Sequence, residues 1–351
     1  MQHRNILSGD PLDPRCERVV RTMATGGDAR ITLDPESGLN RYLCAPRPSP
    51  ALAYASSTAN DLSIDAFDHV LSNIDVAMSY GAALDVIRDR IRAAYDLRSD
   101  TSIVIAPSGT DLEYVGLAVA RDRAPGGILN ILLGADEVGS GCVNSAHGRF
   151  FAEQTALGIS TVPGTPVAGI GLVELTDIAV RDQQGRARRS GEIADHIDAA
   201  ATTAAARGLH TVVHVVHGSK TGLVLPEPED LDGLIARHGD TITIVVDACQ
   251  ARITPGAIAF YLARGAIVLL TGSKFMGGPP FSGFALVPAG TPMPTLPPAS
   301  HTYLHGPNGL WFGRDATCCR TGPIPASGSG CRPRSTNWNG FANYRCRPSD
   351  P

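Results

Sequence analysis

Ala266-Ile267-Val268-Leu269-Leu270-Thr271-Gly272-Ser273-Lys274-Phe275-Met276-Gly277-Gly278-Pro279-Pro280 is the stretch on which the fold turns. An unbroken β-branched and leucine run, closed by glycines and prolines, reads as a strand buried on both faces, and such strands belong to parallel sheets covered by helices. Working outward, runs of the same kind stand at 103–105, 128–133, 173–175, 211–216 and 242–246. Helical periodicity fills 112–120, 145–156, 192–206, 231–238 and 255–263 between them, and two further helices, separated near Gly81, precede them over 64–97. The alternation predicts an α/β fold with a mostly parallel sheet of the seven-stranded type, flanked by helices.

The ends of the chain read differently. Residues 1–61 are rich in proline and glycine and predict an irregular N-terminal arm, 62–288 form the large domain, and 289–351 change abruptly to Pro, Gly, Cys, Arg, Ser and Asn. No amphipathic helix can be drawn through 314–351, so this tail is expected to be disordered, an incomplete or aberrant small domain such as a frameshift would leave. Of eight cysteines, Cys318, Cys319, Cys331 and Cys346 crowd into the tail at spacings that match no zinc module. Cys16, Cys44, Cys142 and Cys249 are scattered and read as reduced thiols. Residues 181–190 carry charge without an apolar period and predict a surface loop or hairpin.

A formal charge of -4 with interspersed signs offers no basic stripe for nucleic acid. The absence of an apolar leader or of a long apolar run predicts a soluble, cytoplasmic protein without a membrane partner. The basic residues are more telling: 28 are arginine and two, Lys220 and Lys274, are lysine. Arginine does not deprotonate, whereas a lysine whose pKa is lowered becomes an amine nucleophile. A solvated lysine would rarely follow Ala-Ile-Val-Leu-Leu and precede Phe-Met, which singles out Lys274.

Sheets of this kind bind ligands at the carboxyl ends of their strands. Strand 103–105 runs into Pro107-Ser108-Gly109-Thr110-Asp111 and a helix, which reads either as ordinary helix capping or as a phosphate cradle of free N–H groups at a positive helix end. It has neither the Walker lysine nor the G-x-G-x-x-G spacing. Strand 242–246 ends in Asp247-Ala248-Cys249-Gln250, where the carboxylate is either a helix cap or a ligand group. An amine, a carboxylate and a phosphate turn at three strand ends match pyridoxal 5'-phosphate (PLP), whose aldehyde needs an amine and whose ring nitrogen needs a carboxylate that keeps it protonated.

With Asp-x-x-Gln followed by Thr-x-Ser-Lys, residues 62–288 resemble the fold-type-I PLP enzymes, and within them the aminotransferase class V and cysteine desulfurase group. The resemblance implies that Lys274 forms the Schiff base to the cofactor, that Asp247 pairs with the pyridinium nitrogen and that Gln250 lies beside the phenolic oxygen. It further implies that Gly109, Thr110, Thr271 and Ser273 hold the phosphate, and that Ser219 takes the place of an asparagine that touches the ring oxygen. It implies a homodimer, with the arm before Asn60 lying across a partner's site, and a small-molecule amino substrate. The family's ring-stacking residue has no counterpart in Asp136-Glu137-Val138-Gly139; His147 and Phe150 are nearby but read as helix-packing residues. Lys220 is either a phosphate ligand of a neighbouring subunit or a solvated loop lysine, and His217 is a further candidate. Arg314 and Arg320 receive no carboxylate-binding role. The expected activity is that of a class V aminotransferase. A PLP-dependent lyase or desulfurase is the alternative on the same machinery, and a catalytically impaired PLP-binding scaffold is the alternative of another kind.

Overall fold

The computed structural model describes residues 13–25, 29–50, 61–74, 78–139, 141–156 and 158–292, together with two short strands beyond them. Helix α1 (Pro14–Met23) starts where Asp13 accepts the Arg15 N–H at 2.8 Å and proline occupies the first turn. Val19 and Met23 of α1 pack on Phe67 and Val70 of α2 (Ile64–Asn73). The arm is therefore not irregular throughout: α1 escapes a periodicity reading because it buries only Cys16, Val19 and Met23 within an arginine-rich run. Helix α3 (Tyr80–Ala94) includes Gly81, since the Ser79 hydroxyl accepts the Ala82 N–H at 3.3 Å and sets the start one residue earlier.

From here strands and helices alternate: β1 (Ser102–Ala106), α4 (Gly109–Ala120), β2 (Ile128–Leu133), α5 (Cys142–Ala146), β3 (Val173–Ile178), α6 (Ser190–Ala206), β4 (His210–His217), β5 (Val224–Leu225), α7 (Pro228–His238), β6 (Ile242–Asp247), α8 (Pro255–Ala263), β7 (Ile267–Thr271) and β8 (Gly283–Val287). The sheet has eight strands in the order β1-β8-β7-β6-β4-β2-β3, with β5 paired to the end of β4. β3, β2, β4, β6 and β7 run parallel, and β8 inserts antiparallel between β7 and β1. Alternate residues of each strand feed the two faces, as a period of two requires. Val212, Val245 and Leu269 join Leu112, Val115 and Val119 of α4 on one face, while Val213, Ile244 and Val268 join residues of α6, α7 and α8 on the other.

One helical expectation fails. Residues 145–156 form no continuous helix, because α5 ends at His147 and Gly148 adopts a φ of +67° with its α-carbon packed against Val173 and Ile170. Phe150 and Phe151 then pack on the core from an irregular path. Residues 181–190 do form a hairpin turn, closed by a bridge between Arg181 and Ala187 and by Asp182, whose carboxylate accepts the Gln184 and Arg186 N–H groups at 2.9 Å. Beyond residue 292 an antiparallel pair of β9 (Pro333–Thr336) and β10 (Ala342–Tyr344) is described. The rest of the tail reading, including its cysteines, lies outside the described residues. No helix of the described residues is long and apolar enough to cross a membrane.

Helix α4 lies so close to the sheet that a Cβ on Gly116 would sit 2.6 Å from a Val245 methyl. Gly116→Val is therefore expected to overpack the interface and cost about 1–3 kcal/mol, read as a lower urea midpoint with an unchanged slope.

Candidate active site

The carboxyl ends of β1, β2, β4, β6 and β7 converge on a cavity of about 380 Å³, within the range of roughly 300–1,000 Å³ usual for small-molecule sites. Ser108, Gly109, Thr110, Ser219, Asp247, Gln250, Thr271, Ser273 and Lys274 all line it, so the structure brings these residues from the strand ends into one place.

At the exit of β1, Ser108 is extended (φ -146°, ψ 168°) and caps α4, its hydroxyl accepting the Asp111 N–H at 3.3 Å. The capping reading is thus correct, and it leaves the first N–H groups of the helix facing the cavity without intrahelical partners. A Cβ on Gly109 would sit 2.8 Å from Cys249 Sγ and 3.2 Å from Thr271 Cγ2, so only glycine lets the turn after β6 and the end of β7 close in at this point. Cradle, carboxylate and lysine are brought together by that contact.

At the exit of β6, Asp247 Oδ1 accepts the Cys249 N–H at 2.9 Å. The hydroxyl of Thr271, buried at the end of β7, donates to the Cys249 carbonyl at 2.7 Å. Its one proton is engaged there, so toward a ligand Thr271 offers only a lone pair, and its bond fixes the Lys274 turn against the Asp247 turn. The Lys274 loop is closed by Gly277 N–H to Lys274 O at 2.9 Å and Gly278 N–H to Gly272 O at 2.8 Å. A Cβ on Gly278 would strike that carbonyl at 2.7 Å. The Lys274 ammonium forms no hydrogen bond or ion pair among the described residues, and neither does the Gln250 side chain.

The opposite wall is built on Glu137, which the sequence reading passed over. Its buried carboxylate accepts the Ser219 hydroxyl at 2.7 Å, the Thr221 hydroxyl at 2.7 Å, the Thr221 N–H at 3.1 Å and Arg181 Nε at 3.0 Å. Burial opposes the charge, but these donors outweigh it and hold the carboxyl below its usual range. Ser219 commits its proton to this network and also accepts the Leu223 N–H at 3.1 Å. Lys220, at the cavity edge and exposed, donates to the Asp136 carbonyl at 3.1 Å. Arg252 donates to the Gly218 carbonyl at 3.1 Å and to that of Ser219, and its guanidinium lies 4.5 Å from the Phe275 ring. It ties the loop after β4 to the loop that carries Lys274. His147 and Phe150 do not line the cavity, and His217 turns to Tyr261, whose hydroxyl lies 3.0 Å from Nδ1.

Beneath Asp247 lies a second feature that the sequence did not reveal. Glu113 of α4 and His214 of β4 are each 1 % exposed and approach to 3.0 Å as an ion pair, and beyond that contact Glu113 Oε2 and both ring nitrogens have no hydrogen-bond partner among the described residues. Burial pushes the Glu113 carboxyl up despite the histidine. Burial disfavours charge on His214, but Glu113 and then Asp247 overcome this and raise its pKa. Cys142 and Cys249, also lining the cavity, are pushed up by burial, by Asp247 and, for Cys142, by Glu113, against the pull of Lys274. They are neutral thiols and weak nucleophiles. No group of three or more His, Cys, Asp or Glu able to hold a metal occurs among the described residues.

No protein-family model and no curated protein sequence matches the chain. Solved structures do. Pyridoxamine-pyruvate aminotransferase from Mesorhizobium loti shares 16 % identity at a TM-score of 0.44, over 81 % of this chain and 62 % of its own. TDC from Oryza sativa, solved with PLP, shares 14 % identity at a TM-score of 0.46, over 73 % of this chain and 56 % of its own. Histidinol-phosphate aminotransferase from Clostridium acetobutylicum shares 15 % identity at a TM-score of 0.39, over 64 % and 55 % respectively. The chain thus spans somewhat over half the length of these three structures.

Truncating one member of a buried ion pair leaves the other uncompensated. Glu113→Ala is therefore expected to cost about 3–5 kcal/mol, and the double change Glu113→Leu with His214→Leu considerably less. Because the folded pKa of His214 is raised, its contribution is fully present below about pH 6.5 and is lost as pH rises through the higher folded value. A urea midpoint that does not fall as the pH rises above about 6.5 would contradict this coupling.

Proposed function

We propose that this chain is a PLP-dependent enzyme of the class V aminotransferase type, acting on a small molecule with an amino group and working as a cytoplasmic homodimer. The observation that supports the reading is the convergence, in one cavity, of a lysine without a partner, a carboxylate and an open helix N-terminus. The donor set suits the cofactor: free N–H groups of Gly109 and Thr110 and the Ser273 hydroxyl for its phosphate, Asp247 for its ring nitrogen, Gln250 for its phenolic oxygen and Lys274 for its aldehyde. Gly109, where a side chain would collide with Cys249, is the close approach such a cradle needs.

When bound, PLP supplies an aldehyde that captures amines and a ring that accepts the electron pair left when a bond at the substrate carbon breaks. Lys274 would hold the cofactor through its aldehyde, and its side-chain amine would be the group that moves the proton at the substrate α-carbon, first as base and then as acid. Asp247 would pair with the ring nitrogen and keep it protonated. Glu137, through Ser219 and Thr221, holds the opposite loop in place. The neutral state of Cys142 and Cys249 favours transamination over desulfuration, which needs a thiolate near the substrate.

The test is the visible spectrum of the purified protein with added PLP, beside Lys274→Ala. A band that borohydride bleaches in the wild type and that is missing in the variant is the expected result. Asp247→Asn should retain the band and lose half-transamination. A wild type that stays colourless with excess cofactor would overturn the reading and favour a scaffold role.

A further inference from the structure

We propose that Arg30 is the residue that makes this cavity prefer a phosphorylated ligand, by presenting a fixed guanidinium beside the open N-terminus of α4. The inference takes the identity of the ligand from the PLP reading, but the anion site stands on its own observations.

Arg30 belongs to the segment 29–50, outside the domain boundary that the sequence suggests, and this segment is a built loop. Asn40 Oδ1 accepts the Tyr42 N–H at 2.9 Å and the Cys44 N–H at 3.2 Å, Asp34 accepts the Ser37 N–H at 2.8 Å, and buried Ile31 packs on Phe281 and Tyr42. The loop delivers Arg30 to the cavity wall of its own chain. There the guanidinium carbon lies 4.9 Å from the Phe151 ring and 5.0 Å from the Phe281 ring, a bracket that holds its plane by cation–π attraction and restricts its rotamers. Two of its polar contacts are at the helix end: Nη1 donates to Ser108 Oγ at 3.2 Å and Nη2 stands 3.7 Å from Asp111 Oδ2.

The charge balance explains why a cation is needed there. A helix N-terminus favours a dianion, but Asp111 puts a buried carboxylate in the first turn, where it accepts the Ser108 hydroxyl proton at 2.5 Å. A phosphate bound there would meet that like charge in a low-dielectric wall. Arg30 cancels that charge and adds a planar fork suited to phosphate oxygens. The preference for a phosphorylated ligand is thus set jointly by α4 and by a residue far from it in sequence.

The experiment compares PLP with pyridoxal, its unphosphorylated form, by absorbance titration of the wild type, Arg30→Gln and Arg30→Lys, and measures thermal shifts with inorganic phosphate on the cofactor-free proteins. The expected result is that Arg30→Gln loses roughly 10- to 100-fold of the advantage of PLP over pyridoxal, while pyridoxal binds as in the wild type. Arg30→Lys recovers part of the loss. Phosphate alone stabilises the wild type more than it stabilises Arg30→Gln. Equal weakening of both ligands, or of neither, would overturn the proposal. If the wild type binds neither ligand, the PLP reading fails, and the phosphate shift decides Arg30: a difference between wild type and variant supports the anion site, and its absence overturns it. Should Arg30→Gln fail to fold, Asp111→Asn serves instead. It removes the opposing charge and is expected to strengthen phosphate binding, and unchanged binding would overturn the charge argument.

Discussion

Contact between α4 and the sheet is the constraint on which the rest of the structure depends. Gly116 lets the helix come within a methyl's reach of β6, and Gly109 lets its first turn press on Cys249 and Thr271. A helix held at two points along its length has little freedom to slide or roll on a close-packed core. The groups it carries, the Ser108 cap at its start and Glu113 one turn in, are thereby placed against strands β4, β6 and β7 rather than on mobile loops. Placement on rigid elements of this kind is what a preorganised site requires.

The charges around the cavity follow a pattern. Glu137 is matched by Arg181, Glu113 by His214, and Asp111 has Arg30 nearby. These pairs take up much of the wall charge among themselves, and Lys274 and Asp247 are left without such a partner among the described residues. Arg252 does for the loops what the pairs do for the charges, with one side chain that bonds carbonyls on one loop and lies over an aromatic ring on the next.

The strand ends were legible in the sequence because doubly buried strands leave uninterrupted apolar runs, and the turns after them are rich in residues with evident chemistry. Strand 128–133 and helix 255–263 coincide with β2 and α8. Partnerships across the fold were not legible. Glu113 reads as an ordinary helical residue until His214, on a strand 101 positions later, is seen beside it. Arg30 was one arginine among 28 in a stretch without periodicity. Glu137 stood in a quoted stretch as a departure from expectation, and its role depends on a loop more than eighty residues away. The short β8 was also missed, because its Gly-Phe-Ala-Leu-Val run abuts the proline-rich end of the domain.

That strand has a consequence for biosynthesis. In the sheet β1 is bonded to β8 alone, and β8 is the last strand of the domain to be made. Until the ribosome has released Val287, the edge of β1 has no partner, and the turn that follows it lacks the support of Gly283, where an added Cβ would lie 2.9 Å from the Ser108 backbone. A contact of such long sequence separation is slow to form and leaves an unpaired strand exposed meanwhile. The helix start that shapes one wall of the cavity thus settles only after nearly the whole domain has been synthesised.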